Sequence, residues 1–199
     1  MTCRVTTIAR CLALSLVLGQ PGSPEAAENQ PPLDLPQLME QMAQVSARRD
    51  RFTETKTMAV LAKPLVLTGT LAYSRPNRVE KHVLTPYEEH LVVQGDQLTL
   101  VNKDGTKRIG VKSHPLIWSF VEAIRASLAG EVEALRRFYH IKVEGTPKKW
   151  LLTLRPLDPQ AASYLTSIRL TGHGNRLTLV EIHEAGGDRS VMAIHEPVS

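Results

Sequence analysis

The sequence predicts an α+β protein built on one large antiparallel sheet of about 10–11 strands, with helices segregated to one side. Three observations point there. Strand-like alternation fills the chain before and after a single central helical stretch. The turns between strands are short, which places sequence neighbours antiparallel. A sheet of about ten strands tends to curl unless a partner holds it flat.

The elements follow in order. From Leu35, apolar residues fall at Leu38, Met39, Met42 and Val45, the stripe of an amphipathic helix, and the charged run SARRDR reads as its solvated end. RFTETKTMAVLA and PLVLTGTLAYS form a strand pair turned at Lys63-Pro64. NRVEKHVL, YEEHLVVQ and DQLTLVN come next, separated by Thr85-Pro86 and Gly95-Asp96. LTLVNKDGTKRIGV is the clearest hairpin, because Asp104-Gly105 suits a tight turn with positive backbone angles. The period then changes: Ile117, Phe120, Ile124 and Leu128 recur at helical spacing, Gly130 offers a stop, and EVEALRRF reads as a short second helix. Strands resume with YHIKVEG, KWLLTLRP, TSIRLTG, RLTLVEIHEA and RSVMAIHE, turned at Gly145-Thr146-Pro147, Gly174-Asn175 and Gly186-Gly187.

The ends and the composition bound the function. Arg4 and Arg10 precede an apolar run from Cys11 to Leu18, and small residues follow, which is the order of a cleavable secretory signal. The run is far shorter than the ~20 residues that span a bilayer. The expectation is a signal peptide over residues 1–27, a flexible, polar and proline-rich lead-in over residues 28–34, and one domain over residues 35–199. Both cysteines, Cys3 and Cys11, lie in the segment to be removed, so the exported domain has no thiol chemistry and no disulfide. Removing Arg4, Arg10 and Glu25 takes the net charge from +4 to +3. That mild basicity is spread among acids, which excludes a nucleic-acid footprint.

No motif of covalent chemistry is present. The seven histidines contain no H-x-x-x-H pair, and the Gly186-Gly187 turn sets His183 near Ser190 rather than near His195. There is no nucleophile turn of the G-x-S-x-G type and no phosphate loop. The reading is therefore no enzyme, no metal and no cofactor. With aromatic residues at only 5%, whatever fills the curled sheet is mostly aliphatic. The inward side of the second strand is its odd-numbered face: Leu65, Leu67, Leu71, Tyr73 and then Arg75. A guanidinium in that series, immediately before Pro76, is either a strand-end residue bent to solvent or a working part.

The ordered series of RFTETK, GTLAYSRPNRVEK and EEHLVVQGDQLTLVNKDG resembles the periplasmic outer-membrane lipoprotein carriers (LolA-like). The matching positions are Phe52, Gly69, Leu71, Arg75, Pro76, Leu91, Val92 and Gly95, and AGGDRSVMAIHE is similar to that family's closing hairpin. The resemblance implies an unclosed barrel with helices as a lid over a hydrophobic cavity that receives acyl chains. It also implies that Arg75 stands at the position that links the barrel interior to the lid. An unpaired charge there is costly, so its simplest acceptors are backbone carbonyls of a helix end or loop. Those contacts latch the lid. Leu65, Leu67, Leu71 and Tyr73 then become candidate lining, as do Leu91, Val93, Leu98 and Leu100. Leu152 and Leu154 join them on the later strands, and Trp118 and Phe120 on the central helix; outside the resemblance these are ordinary core positions.

The implied job is a monomeric periplasmic carrier. It takes a lipoprotein or a glycolipid-like amphiphile from an inner-membrane donor transporter to an outer-membrane acceptor. A lipid-sensing binding module on the same scaffold is the alternative. The chain departs from the family pattern in two places: Arg78, Val79, Glu80, Lys81 and His82 stand where aromatic residues tend to follow RPN, and Gln94 replaces an aspartate.

Overall fold

A computed structural model describes residues 32–196. The expected signal peptide and residues 28–31 of the lead-in lie outside the described residues. The rest of the lead-in is already fixed. Leu33 is buried and its amide donates to Gly145 O at 3.0 Å. Asp34 caps the first helix, α1 (Leu35–Ala43), by accepting from the Gln37 amide at 2.8 Å while the Gln37 side chain accepts from the Asp34 amide.

Six strands follow: β1 (Ala47–Thr57), β2 (Leu65–Ser74), β3 (Arg78–Thr85), β4 (Glu89–Gln94), β5 (Gln97–Asn102) and β6 (Gly105–Gly110). A single 3-10 turn leads into α2 (Pro115–Ala129) and α3 (Val132–Phe138). The chain then returns to strands β7 (Tyr139–Thr146), β8 (Lys149–Pro156), β9 (Leu165–His173), β10 (Arg176–Glu184) and β11 (Arg189–His195). A four-residue helix, α4 (Pro159–Ala162), sits between β8 and β9.

All eleven strands form one antiparallel sheet in the order β6-β5-β4-β3-β2-β1-β11-β10-β9-β8-β7. The first and last strands meet at its centre, with Phe52 opposite Ile194. The free edges are β6 and β7, the two strands that α2 and α3 connect. This topology explains both the curl and the cover. A helical connection between opposite edges of one sheet has to cross a face of that sheet, and the apolar side of α2 holds it on the concave one.

The run SARRDR is not a helix end. α1 stops at Ala43, and Arg48, Arg49, Asp50 and Arg51 belong to β1, where they pair with both β2 and β11. The period is two: Arg48 and Asp50 point inward with Phe52, while Arg49 and Arg51 point out. The inward charges have partners, as Asp50 lies 3.3 Å from Arg176 and 4.0 Å from Arg48. The β5–β6 turn falls on Lys103-Asp104, one residue earlier than expected, with Gly105 opening β6. His183 stands opposite Arg189, beside Ser190.

The packed core lies under one half of the sheet. Leu38, Met39 and Leu135 from the helices meet Leu152, Leu154, Ile168 and Leu170, all at most 2% exposed. Each such burial is worth roughly 1.5–3 kcal/mol. Two glycines permit close approaches that position the sheet and the helices. A Cβ on Gly69 would stand 1.9 Å from His82 O and 2.9 Å from the Phe52 ring. Gly130 ends α2 at φ 74°, and its Cβ would stand 2.2 Å from Met39 O on α1.

Gly130→Ala therefore has to adopt a left-handed backbone and push the two helices apart. The expected loss is roughly 2–4 kcal/mol, read as a lower urea midpoint. An unchanged midpoint contradicts this account of the helix contact.

Candidate functional site

Between the concave face and α2 lies a cavity of about 650 Å³, inside the range typical of small-molecule sites. One wall is Leu71 and Tyr73 of β2 with Leu91 and Val93 of β4. The opposite wall comes from Val180 and Ile182 of β10 with Met192 and Ile194 of β11. Ile117, Phe120, Val121, Ile124 and Leu128 of α2 form the roof. The hollow exists because the helices settle over β7, β8 and β9 and leave the middle of the sheet unfilled.

The floor is different in kind. It is β1, and its inward residues are Arg48, Asp50, Phe52, Glu54 and Lys56, four charges around one buried ring. At one end Asp50 meets Arg48 and Arg176, and Arg176 also pairs with Glu196. At the other, Glu54 is 2% exposed. Its Oε2 accepts from Lys81, its Oε1 accepts from Ser190 Oγ at 2.5 Å, and Lys56 Nζ lies 3.8 Å away. Lys81 also sits 5.2 Å from the centre of the Phe52 ring. Burial alone would raise the Glu54 carboxyl, but the Lys81 charge and the hydrogen bonds from Lys81 and Ser190 outweigh it and hold the group below its ordinary 4.5. Burial pushes Lys81 below its ordinary value, against the opposing pull of Glu54.

Arg75 lies just beyond the end of β2. It is an exposed rim residue rather than part of the greasy face, and it is not in the cavity lining. Its guanidinium donates to Ala43 O, the last carbonyl of α1, and to Ala129 O at 3.1 Å, the last carbonyl of α2. Helix ends leave carbonyls without intrahelical partners and carry partial negative charge, so two converging C-termini make a ready site for one guanidinium. Nearby, Arg125 forks between Glu122 and Glu131 and ties α2 to the start of α3. The Tyr139 hydroxyl, its pKa pushed up to about 12 by burial, donates to Ser119 O and ties the start of β7 to α2.

Of the lining candidates, the structure brings Leu71, Tyr73, Leu91, Val93, Leu98 and Phe120 to the cavity. It places the others elsewhere. Leu152 and Leu154 are sealed in the core because the helices pack over that part of the concave face, while Leu67 on β2 is sealed among the core side chains and Leu65 packs against them. Leu100 faces inward beyond the cavity's reach. Trp118 turns to the side of α2, edge-on to Phe138 at 6.0 Å with Lys112 over its ring. The residues missed from sequence include Arg48, Asp50, Glu54, Lys56, Lys81 and Ser190 among the polar ones and Val180, Ile182, Met192 and Ile194 of the far wall. Alternation alone carried the signal: Phe52, Glu54 and Lys56 share a face of RFTETK, and Val79, Lys81 and Val83 share a face of NRVEKHV. Among the described residues no group of three or more His, Cys, Asp or Glu side chains gathers to hold a metal ion.

A family model described as outer membrane lipoprotein carrier protein LolA-like matches residues 26–194. An outer-membrane lipoprotein carrier protein of Methylibium petroleiphilum is 28% identical over 151 residues, 75% of this chain and 70% of that one. One from Chromohalobacter salexigens is 25% identical over 128 residues, 64% of this chain and 59% of that one. Among solved structures, a LolA superfamily protein from Nitrosomonas europaea superposes with a TM-score of 0.45 at 9% identity, covering 84% of this chain and 96% of its own.

Proposed function

The chain belongs to the LolA-like outer membrane lipoprotein carrier family, and from that premise we propose that it is a periplasmic carrier. It shields the acyl chains of a lipoprotein or related amphiphile and delivers them from an inner-membrane donor toward the outer membrane. The observation that carries this reading is the open cavity of about 650 Å³ with aliphatic walls under α2. No covalent step is needed, because transfer between hosts is a matter of relative affinity.

The magnitudes fit a carrier. Hiding an acyl chain from water is worth roughly 0.8 kcal/mol per methylene, so ~14 methylenes gain on the order of 11 kcal/mol. Donor, acceptor and bilayer are equally oily, so this large quantity nearly cancels in transfer. A small quantity then sets the direction. Arg75 supplies one of the right size, since charge-assisted hydrogen bonds contribute about 1.5–3 kcal/mol each. With the guanidinium half in water, the lower end applies. In this mechanism Arg75 holds the C-termini of α1 and α2 together over the empty cavity. An entering chain lifts α2 and strains those bonds, and their re-formation helps to expel the cargo.

Arg75→Leu is expected to keep the fold, because the residue is exposed and outside the core. It should slow release of a labelled lipoprotein to acceptor membranes by about tenfold while leaving its uptake from donor membranes within a factor of about two. Equal loss of both steps would reduce Arg75 to a structural brace. Failure of the unmodified protein to draw lipoprotein from donor membranes removes the carrier reading.

A further inference from the structure

The floor of the cavity is polar where a carrier of plain hydrocarbon would be served by apolar side chains. Taking two charges out of water costs several kcal/mol per ion, and apolar residues of similar volume are often as stable or more so. Glu54 and Lys81 nevertheless meet inside the hollow, with Glu54 on the central strand and Lys81 two strands away on β3.

The cluster is unevenly satisfied. Both Glu54 oxygens are engaged, one by Lys81 and the other by Ser190 Oγ with Lys56 close behind. An ammonium has three N–H donors. Lys81 spends one on Glu54, and Lys56 stands at 3.8 Å, beyond hydrogen-bond reach. Both lysines line the cavity, with side chains 22% and 35% exposed. The acceptors are filled and the unused valence is cationic donor.

The other charges at this end are differently placed. Glu184 and Arg189 stand exposed at the lip, where water screens them. Asp188 accepts from the Ala59 amide at 2.8 Å. Glu89, half-buried on β4, is the one further acid of the lining at this end.

We infer that Lys81 and Lys56, backed by Glu54 and Ser190, form a head-group site inside the cavity for an anionic oxygen group, a carboxylate or a phosphate, borne by the cargo's hydrocarbon chain. The chain then runs between the aliphatic walls. Glu54 keeps Lys81 charged and in place when the cavity is empty, and the incoming anion takes the free donors. This rests on the carrier reading and narrows it: the favoured cargo carries its acid next to its chain, and a chain ending in an uncharged ester lacks the group this site binds.

The test is displacement of a neutral apolar dye from the full-length protein by palmitate, methyl palmitate and hexadecyl phosphate. Palmitate or hexadecyl phosphate is expected to bind at least about tenfold more tightly than the ester, and whichever is tighter identifies the head. Lys81→Met should erase that preference, bringing acid and ester to within about threefold of each other. Because Lys81→Met strands a buried carboxylate, Glu54→Gln/Lys81→Met provides the same test without the unpaired charge. Equal binding of acid and ester, or a preference that survives in the double variant, overturns the head-group site while leaving the carrier reading intact. No displacement by any of the three ligands overturns both.

Discussion

Leu91→Trp is expected to lose at least about 100-fold in affinity for acyl probes while the protein stays folded. Leu91 is half-buried on β4, opposite Lys81 and Leu100 in the ladder, and faces the cavity. It belongs to neither packed cluster of the core. An indole there grows into empty space rather than into neighbours, so the overpacking penalty stays within roughly 1–3 kcal/mol and toward its lower end. The space it takes is space a chain would use. Losing room for three or four methylenes at roughly 0.8 kcal/mol each removes about 3 kcal/mol of binding, which is the stated factor. Dye titration reads the affinity and a urea melt reads the fold. Undiminished uptake by a stable Leu91→Trp protein would mean that chains bind elsewhere.

Lys81→Met is expected to cost about 3 kcal/mol of stability at neutral pH, and the cost should shrink on acidification. Removing one partner of a buried pair leaves the other charged and poorly solvated, typically at 3–5 kcal/mol. Ser190 and Lys56 remain at Glu54, so the lower end applies. The sign of the pH dependence follows from linkage. In the parent protein the folded-state carboxyl lies below 4.5. Its contribution is therefore fully present above about pH 4.5 and is lost as pH falls through the depressed folded value. Without Lys81 the effect of burial prevails and the folded value rises. Protonation then relieves the buried charge, and the gap between variant and parent narrows as pH drops below neutrality. Glu54→Gln/Lys81→Met has no charge to relieve and should show no such narrowing. Urea midpoints at three or four pH values decide it, and a gap that stays constant or widens on acidification refutes the assignment.

Much of the architecture was legible because it is written in local periods. Strand alternation and the shift to helical spacing at Ile117, Phe120, Ile124 and Leu128 gave six strands, helices and five strands in that order. Short turns gave their antiparallel sense. SARRDR was misread because charges at a helix end are commonplace, and nothing within six residues reveals that Asp50 has Arg176 for a partner, 126 positions away. Leu152 and Leu154 were misassigned for a related reason. A strand's inward face looks the same whether helices fill the space above it or leave it open.

What the sequence by itself determined is that the odd-numbered side of the second strand turns inward and that a guanidinium follows that strand, since both depend on side-chain order along a short piece of chain. The tertiary structure alone decided where the hollow lies, which helix ends meet Arg75, and that Glu54 faces Lys81. Those are contacts between segments far apart in the chain, and they exist only once β1 has paired with β11 and the connection from β6 to β7 has been drawn across the concave face.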